Sequence, residues 1–350
     1  MILKQLSEAP GPSGREDAVR QIILDAIKEH IDSHQVDALG NLIAIKKGKG
    51  PVTEGRPRKV MIAAHMDEVA LMIMHVGKDG LLHFRKIGGI DDRVLLSKRV
   101  LIGEKRVPGV IGFKPIHLLK PKEREQVVSS DDMTIDIGVT SEEAANKLVK
   151  LGDYAVFDTA YEEWTRSRIV KGKAFDDRAG CTVLVELVKG GPYPFDLVAV
   201  FTAQEEVGLR GARVAAYAVE PDVAFALEGT VCDDLPKKGD VSPTTRLGKG
   251  PAITLMDRSF IADRRLVKLL TDAAEAEGIP YQLKQPLVGG TDAGAMHLAK
   301  EGVPAGAVSV PARYIHAPVS LLSLDDLENA VKLMKAALSR LGELDLRASQ

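Results

Sequence analysis

Apolar residues recur along this chain with different periods, and each period predicts a different element. Near the start, Val19, Ile22, Ile23, Ala26 and Ile27 follow one another at helical spacing. They stand behind Ser13–Glu16, "SGRE", whose Ser-x-x-Glu spacing predicts a capping box at the helix start. "NLIAIKKG" from Asn41 reads as a strand. "KVMIAAHMDEV" from Lys59 is a near-continuous apolar run ending in polar residues, the pattern of a strand covered on both faces.

The texture then changes. From about Ala70 to Trp164 short alternating patterns dominate. "ALMIMHVGKDGLLHFRKI" predicts two strands around a turn at Lys78-Asp79-Gly80, and "RVLIGEKRVPGVIG" predicts another pair, punctuated by Pro108-Gly109. A single helix is expected behind the Thr140–Glu143 cap, "TSEE".

Longer periods resume afterwards. Helices are expected over 178–189, 211–219, 262–278, 291–301 and 324–341, and strands over 195–202, 222–227, 280–284 and 303–310. In the last helix Ser323 is the expected cap, and Leu324, Leu327, Val331, Met334 and Leu338 line one face. Alternating strands and helices predict an α/β domain with helices on both sides of a mixed central sheet, a three-layer sandwich. Residues 1–69 and 165–350 would form that domain, with 70–164 inserted as a small β-rich one. The turn-rich stretch at 233–250 reads as a mobile loop.

Composition narrows the function classes. The 350 residues, 45% apolar and 27% charged, can build a sizeable core. A net charge of −2 offers no basic surplus for nucleic acid or an anionic membrane. Aromatics, at 4%, are too few for a base-stacking surface, and no apolar run is long enough to span a bilayer. The N-terminal segment lacks a signal-peptide pattern, and the two cysteines, Cys181 and Cys232, have no partner at metal-ligand spacing. Both features point to a reducing cytoplasm.

One pattern recurs five times: an apolar run meets a metal-capable side chain. "MIAAHMDE" carries His65 and Asp67, "KAFDDRAG" Asp176 and Asp177, "VFTAQEEVG" Glu205 and Glu206, "VAFALEGT" Glu228, and "PARYIHAP" His316. Four of these follow strands and one precedes a helix. Singly, each has an ordinary explanation: a hydrogen-bonded histidine, a helix cap, a solvated acid pair, a turn. Together they place two histidines and several acids at strand ends, which collect on one edge of an open α/β sheet. Crowded carboxylates take up protons unless cations compensate them, so the set points to a metal site. Mixed His/Asp/Glu ligation suits zinc, cobalt or manganese better than calcium. Two divalent ions about 3.5–4 Å apart need one bridging carboxylate and activate a water. One glutamate of the adjacent pair would then bind metal while its neighbour acts as general base. Neighbouring side chains on a strand point oppositely, so this requires a turn or bulge right after Thr202.

The ordered set "AAHMDEV", "AFDDRAG", "AQEEVGLRGA", "ALEGT", "GGTDAGA" and "RYIH", with "GVIGFKPIHLL" in the insertion, resembles the dinuclear-metal aminopeptidases of peptidase family M42, and the resemblance covers essentially the whole chain. It implies a zinc-peptidase-like sheet and release of N-terminal residues from short peptides. It implies two divalent ions per subunit, zinc or cobalt with manganese a further candidate. Asp176 would bridge them, His65 and Glu228 would complete one ion's ligands, and Glu206 and His316 the other's. Glu205 would be the general base, and Asp67 would fix the His65 tautomer. Thr291 and Asp292 of "GGTDAGA" would shape the substrate pocket, or simply start a helix. The insertion would mediate self-association into a dodecamer, or alternatively a dimer.

Two features depart from the family pattern. Glu228 stands where Asp is frequent, and "HAPVS" follows His316 where many members have Ser-Pro and an acid. The competing readings are a metal-dependent deacylase of N-acyl amino acids, a carboxylate-pair glycosidase, and a scaffold particle with a degenerate site. A glycosidase needs two acids flanking a sugar rather than histidines and metal. The presence of the full ligand set argues against a degenerate site.

Overall fold

The computed structural model describes residues 1–49, 59–236, 244–284, 289–342 and 344. Part of the turn-rich stretch expected to be mobile, 237–243, lies outside the described residues. The chain opens with helices α1 (Leu3–Glu8) and α2 (Asp17–Ile27), then strands β1 (Ser33–Val36), β2 (Leu42–Lys46) and β3 (Lys59–His65). The insertion follows as β4 (Ala70–Val76), β5 (Leu82–Ile87), β6 (Arg99–Ile102), β7 (Val107–Ile111), β8 (Thr134–Asp136), helix α3 (Glu142–Asn146) and β9 (Tyr154–Phe157). The remainder comprises β10 (Glu162–Trp164), β11 (Ile169–Gly172), α4 (Phe175–Lys189), β12 (Asp196–Thr202), α5 (Arg210–Val219), β13 (Val223–Val231) and β14 (Ala252–Thr254). It ends with α6 (Arg264–Glu277), β15 (Gln282–Lys284), α7 (Ala293–Met296), β16 (Ala305–Arg313), β17 (Ser320–Ser323) and α8 (Leu324–Leu341).

A large mixed sheet runs β1-β2-β12-β3-β13-β16-β17-β11-β10, with β14 and β15 branching from β16. Its centre, β12-β3-β13-β16, is parallel, so these strands end on one edge. Alternate residues face opposite sides. Val60, Ile62, Phe201, Phe225 and Leu227 pack among α1, α2, α4, α6 and α8. Met61, Ala63, Val200, Ala224 and Ala226 pack among the alanines of α5 and α7. The near-continuous apolar run at 59–65 is therefore covered on both faces, and each large side chain buried there contributes about 1.5–3 kcal/mol.

Strands β4-β5-β8-β7-β6-β9 close into a small barrel around Leu71, Ile73, Leu82, Val100, Ile111 and Ile135. Gly109 lies inside β7, where a Cβ would come within 2.6 Å of Ile135. The hairpin turn falls at Gly103–Arg106 rather than at Pro108-Gly109. The helix cap is Ser141, one residue later than expected, with its hydroxyl accepting from the Ala144 N–H. Strand β10, which the sequence assigns to the insertion, pairs with β11 in the large sheet. Ser323 caps α8 as expected, accepting from the Asp326 N–H. The helix expected over 291–301 is only the single turn Ala293–Met296. No helix among the described residues is long and apolar enough to cross a membrane.

The capping box at Ser13–Glu16 does not form. Helix α2 starts after Glu16 with no side-chain cap, because both side chains are bonded elsewhere. The Ser13 hydroxyl donates to Asp67 Oδ2 (2.6 Å), and Glu16 Oε1 accepts from the N–H groups of Gly14 (2.7 Å) and Gln204 (3.1 Å).

Candidate metal centre

The parallel register sets the site. His65 ends β3 directly beside Thr202, which ends β12. Glu228 sits inside β13 opposite Ser309; that strand continues four residues past the apolar run, to Val231. Beyond Thr202 the chain turns at once, with Gln204 (φ +58°) and Leu209 (φ +55°) in the left-handed region. Asn41 holds this turn by accepting from the Ala203 N–H (2.8 Å) and donating to the Gly211 carbonyl (3.0 Å). A Cβ on Gly211 would lie 2.2 Å from Asn41 Oδ1, so glycine is required there. The turn brings both glutamates onto the sheet edge.

The adjacent aspartates separate. Asp177 Oδ1 accepts from the Gly180 N–H (2.8 Å) and its Oδ2 from the His65 N–H (3.1 Å), so it caps the helix and ties it to β3. The peptide bond between Asp176 and Asp177 is cis. Asp176 is left facing the histidines: its Oδ1 lies 3.3 Å from His65 Nε2 and its Oδ2 3.5 Å from His316 Nε2. Glu228 Oε2 lies 3.7 Å, and Glu205 Oε2 3.9 Å, from His65 Nε2. Glu206 Oε1 lies 3.4 Å from His316 Nε2. Two donor sets that could each hold an ion result, His65/Asp176/Glu228 and Asp176/Glu206/His316, with Asp176 common to both.

Both imidazoles are oriented from behind. His65 Nδ1 lies 3.1 Å from the Asp67 carbonyl and 3.4 Å from Asp67 Oδ1. His316 Nδ1 lies 2.9 Å from the carbonyl of Gly89, in the loop after β5, so the inserted segment contributes to the site. The Asp67 carboxylate accepts the Glu205 N–H at Oδ1 (2.9 Å), and the Glu206 N–H (3.2 Å) and Ser13 hydroxyl at Oδ2. Burial opposes its charge, but these donors and His65 hold its carboxyl below the usual range.

Thr291 and Asp292 are both buried. The Asp292 N–H donates to Glu228 Oε1 (3.0 Å), its Oδ2 accepts from the Thr202 hydroxyl, and Oδ1 is buried without a partner. Thr291 donates to Asp257 Oδ2 (3.0 Å). Asp292 thus touches the donor Glu228 through its N–H, whereas Thr291 bonds Asp257, outside both donor sets. The roles of Ser13, Glu16 and Gly89 here escaped sequence reasoning, and only their hydrogen bonds to distant residues reveal them; a cap at the aspartate pair was expected, and Asp177 is the one that makes it.

Burial first, then repulsion from neighbouring carboxylates, pushes Glu205 and Glu228 well above the usual carboxyl range and Glu206 up to about 7. Burial opposes protonation of His316, yet Asp176 and Glu206 raise it to about 10. Among the described residues no lysine or arginine forms an ion pair with Asp176, Glu205, Glu206 or Glu228. Divalent cations would compensate this cluster, and its imidazole–carboxylate donors fit zinc, cobalt or manganese.

Comparison with known proteins is consistent with this chemistry. The family model described as M42 glutamyl aminopeptidase matches residues 40–333. The lysyl aminopeptidase of Pyrococcus furiosus is 34% identical over 98% of each chain. A TET aminopeptidase structure from the marine sediment archaeon Thaumarchaeota archaeon SCGC AB-539-E09 superposes with a TM-score of 0.91 at 40% identity, covering 97% of this chain and 96% of that one. The Pyrococcus horikoshii TET1 peptidase, described as assembling into a tetrahedron or a large octahedral shell, gives a TM-score of 0.83 at 39% identity, covering 96% and 98%.

Proposed function

The chain belongs to the M42 glutamyl aminopeptidase family, and we propose that its sheet-edge cluster is a dinuclear centre that opens the first peptide bond of short peptides. The enzyme is a metal-dependent aminopeptidase, a hydrolase. The observation that carries the site assignment is Asp176, whose two oxygens face two different imidazoles. In this reading Asp176 bridges, His65 and Glu228 hold one ion, and Glu206 and His316 hold the other. Zinc or cobalt, with manganese as a further candidate, would polarise the scissile carbonyl and lower the pKa of a bound water. Glu205, beside the donors but outside both sets, takes the proton of the attacking water and passes it to the leaving amine. Divalent ions beside Glu205 would offset the burial and carboxylate repulsion that push its carboxyl upward, leaving it ionised to take that proton. Asp67 fixes the ring of His65, and Asp292 aims Glu228 through its N–H. Thr291 and Asp292 thus shape the substrate pocket from behind the ligands.

Around the centre we read the two apolar clusters as the interior of a three-layer sandwich. We assign assembly to the inserted segment, 70–164. Between β7 and β8 it exposes Phe113, Ile116, Leu118, Val127 and Val128, an apolar surface of the kind that pairs subunits. As the TET1 relative assembles, so would this chain, into a dodecamer or a smaller dimer. The free, buried Cys181 and Cys232 fit the reducing cytoplasm as its compartment.

The test is chelation followed by a panel of aminoacyl reporter amides, with zinc, cobalt or manganese added back. Activity is expected to vanish and to return with metal, on free-amine substrates. Turnover of N-acyl amino acids and not of free-amine amides would replace this reading by a deacylase.

A further inference from the structure

We propose that the segment Gly11–Glu16 is a clamp that positions the general base, with Glu16 holding the main chain at Gln204 and Ser13 holding Asp67. The proposal rests on Glu205 as the base. Three observations support it. First, the residues that spell a helix cap do not cap. Helix α2 begins without a side-chain cap, and both polar groups reach instead across the fold to residues 67 and 204. Second, the segment runs as a short parallel bridge beside the end of β3. Pro12 pairs with Glu68, the Glu68 N–H donates to the Gly11 carbonyl (2.9 Å), and the Gly11 N–H donates to Glu68 Oε1 (3.1 Å). The clamp therefore has a fixed base.

Third, its grip falls on the strained point of the glutamate turn. Gln204, the residue before Glu205, has φ +58°, a conformation that a non-glycine residue keeps only when its surroundings hold it. Its N–H donates to Glu16, a carboxylate only 2% exposed. Among the described residues no ion pair joins Glu16 to a lysine or arginine, so N–H donors offset the cost of burying it. The next two N–H groups, of Glu205 and Glu206, go to Asp67, and Ser13 holds Asp67 from the other side. Three consecutive amides are thus anchored on two acids, both reached from residues 13–16. Ser13 and Glu16 are positioning residues: Glu16 touches the turn that carries the base, Ser13 touches the Asp67 carboxylate that holds that turn, and neither touches the reacting atoms.

The test compares Glu16→Ala and Ser13→Ala with the conservative Glu16→Gln and Ser13→Thr, using Glu205→Gln as reference. Four readouts are taken: kcat, KM on one aminoacyl amide, bound metal, and hydrogen exchange in peptide 203–209. Both alanine variants should lose about 10–100-fold in kcat, the range for residues that orient active-site groups. KM should change less than about twofold and metal content not at all, since neither substrate nor ligand is touched. Exchange in 203–209 should quicken in Glu16→Ala. The conservative variants should recover most of kcat, because an amide oxygen still accepts both N–H groups and a threonine hydroxyl still donates. Native kcat and native exchange in the folded alanine variants would overturn the clamp. So would lost metal whose replacement restores turnover, which marks support of the ligands. If Glu16→Ala does not fold, Ser13→Ala decides alone. Near-native turnover in Glu205→Gln would instead overturn the base assignment, while the exchange data still judge the clamp.

Discussion

Two groups of buried charge lie side by side in this molecule, and they are balanced in opposite ways. Glu68, three residues after His65, is buried with Lys173 and Arg178. Lys173 Nζ lies 2.6 Å from both of its oxygens, and an Arg178 guanidinium nitrogen lies 3.5 Å away. The guanidinium also donates to the carbonyls of Leu6 and Ala9. Here the chain supplies its own counter-charge. A few residues on, Asp176, Glu205, Glu206 and Glu228 gather around two imidazoles, and among the described residues no lysine or arginine is paired to them. Equal burial therefore carries different meanings. A neutralised cluster is structural, whereas a cluster left anionic is built for cations that come from outside the chain.

The largest test removes ligands from the anionic cluster. His65→Ala and Asp176→Ala should each lower bound metal, Asp176→Ala affecting both ions, and turnover should fall by three orders of magnitude or more, on the order of the whole metal contribution. Metal analysis on purified, metal-loaded protein reads this directly. Unchanged stoichiometry in both variants would sink the ligand set.

Next in size is the neutralised cluster. Lys173→Met leaves Glu68 buried with only the more distant guanidinium, and breaking one partner of a buried pair costs about 3–5 kcal/mol. Denaturant unfolding should show that loss equally with and without chelator. The anionic cluster should answer in the other direction. Glu205→Gln removes a carboxylate from a repulsive set and should raise the melting temperature of the chelated protein. Parallel losses in both variants would mean that the two clusters are balanced alike.

Much of this was legible in the sequence, though unevenly. The end of a buried strand shows in "KVMIAAHMDEV" because the period of apolar residues is local, and β3 ends where that run meets His65. The turn after Thr202 follows from two adjacent glutamates needing one side. Which aspartate of the pair caps α4 rests on main-chain geometry, and spacing alone does not separate Asp176 from Asp177. Ser13 and Glu16 misled for the same reason. Ser-x-x-Glu spacing suits a helix cap, yet partners 54 and 188 residues away competed for those side chains and prevailed. The Gly89 carbonyl behind His316 carries no sequence signal, since any residue type has one.

Glu16 offers the finest test, because it represents a third way of burying charge: neither lysine nor metal, only N–H donors. Burial, and then the charge of Asp67, raises its carboxyl from an ordinary value of 4.5 to about 7, against the pull of the N–H groups. Between those values the folded protein keeps a proton that the unfolded chain has released. The stabilisation is therefore fully present below pH 4.5 and is lost as pH rises through about 7. Glu16→Gln has no such proton. Wild type should lose stability relative to this variant between pH 4.5 and 7.5 by on the order of 1–3 kcal/mol. Denaturant unfolding of both proteins at matched metal loading measures the difference, and effects of pH on metal binding cancel in it. A constant offset across this range would mean that the amide donors hold Glu16 ionised throughout. Hydrogen bonds alone would then balance a buried carboxylate as well as Lys173 and Arg178 balance Glu68, and an unpaired buried acid would no longer suffice to mark a cation site.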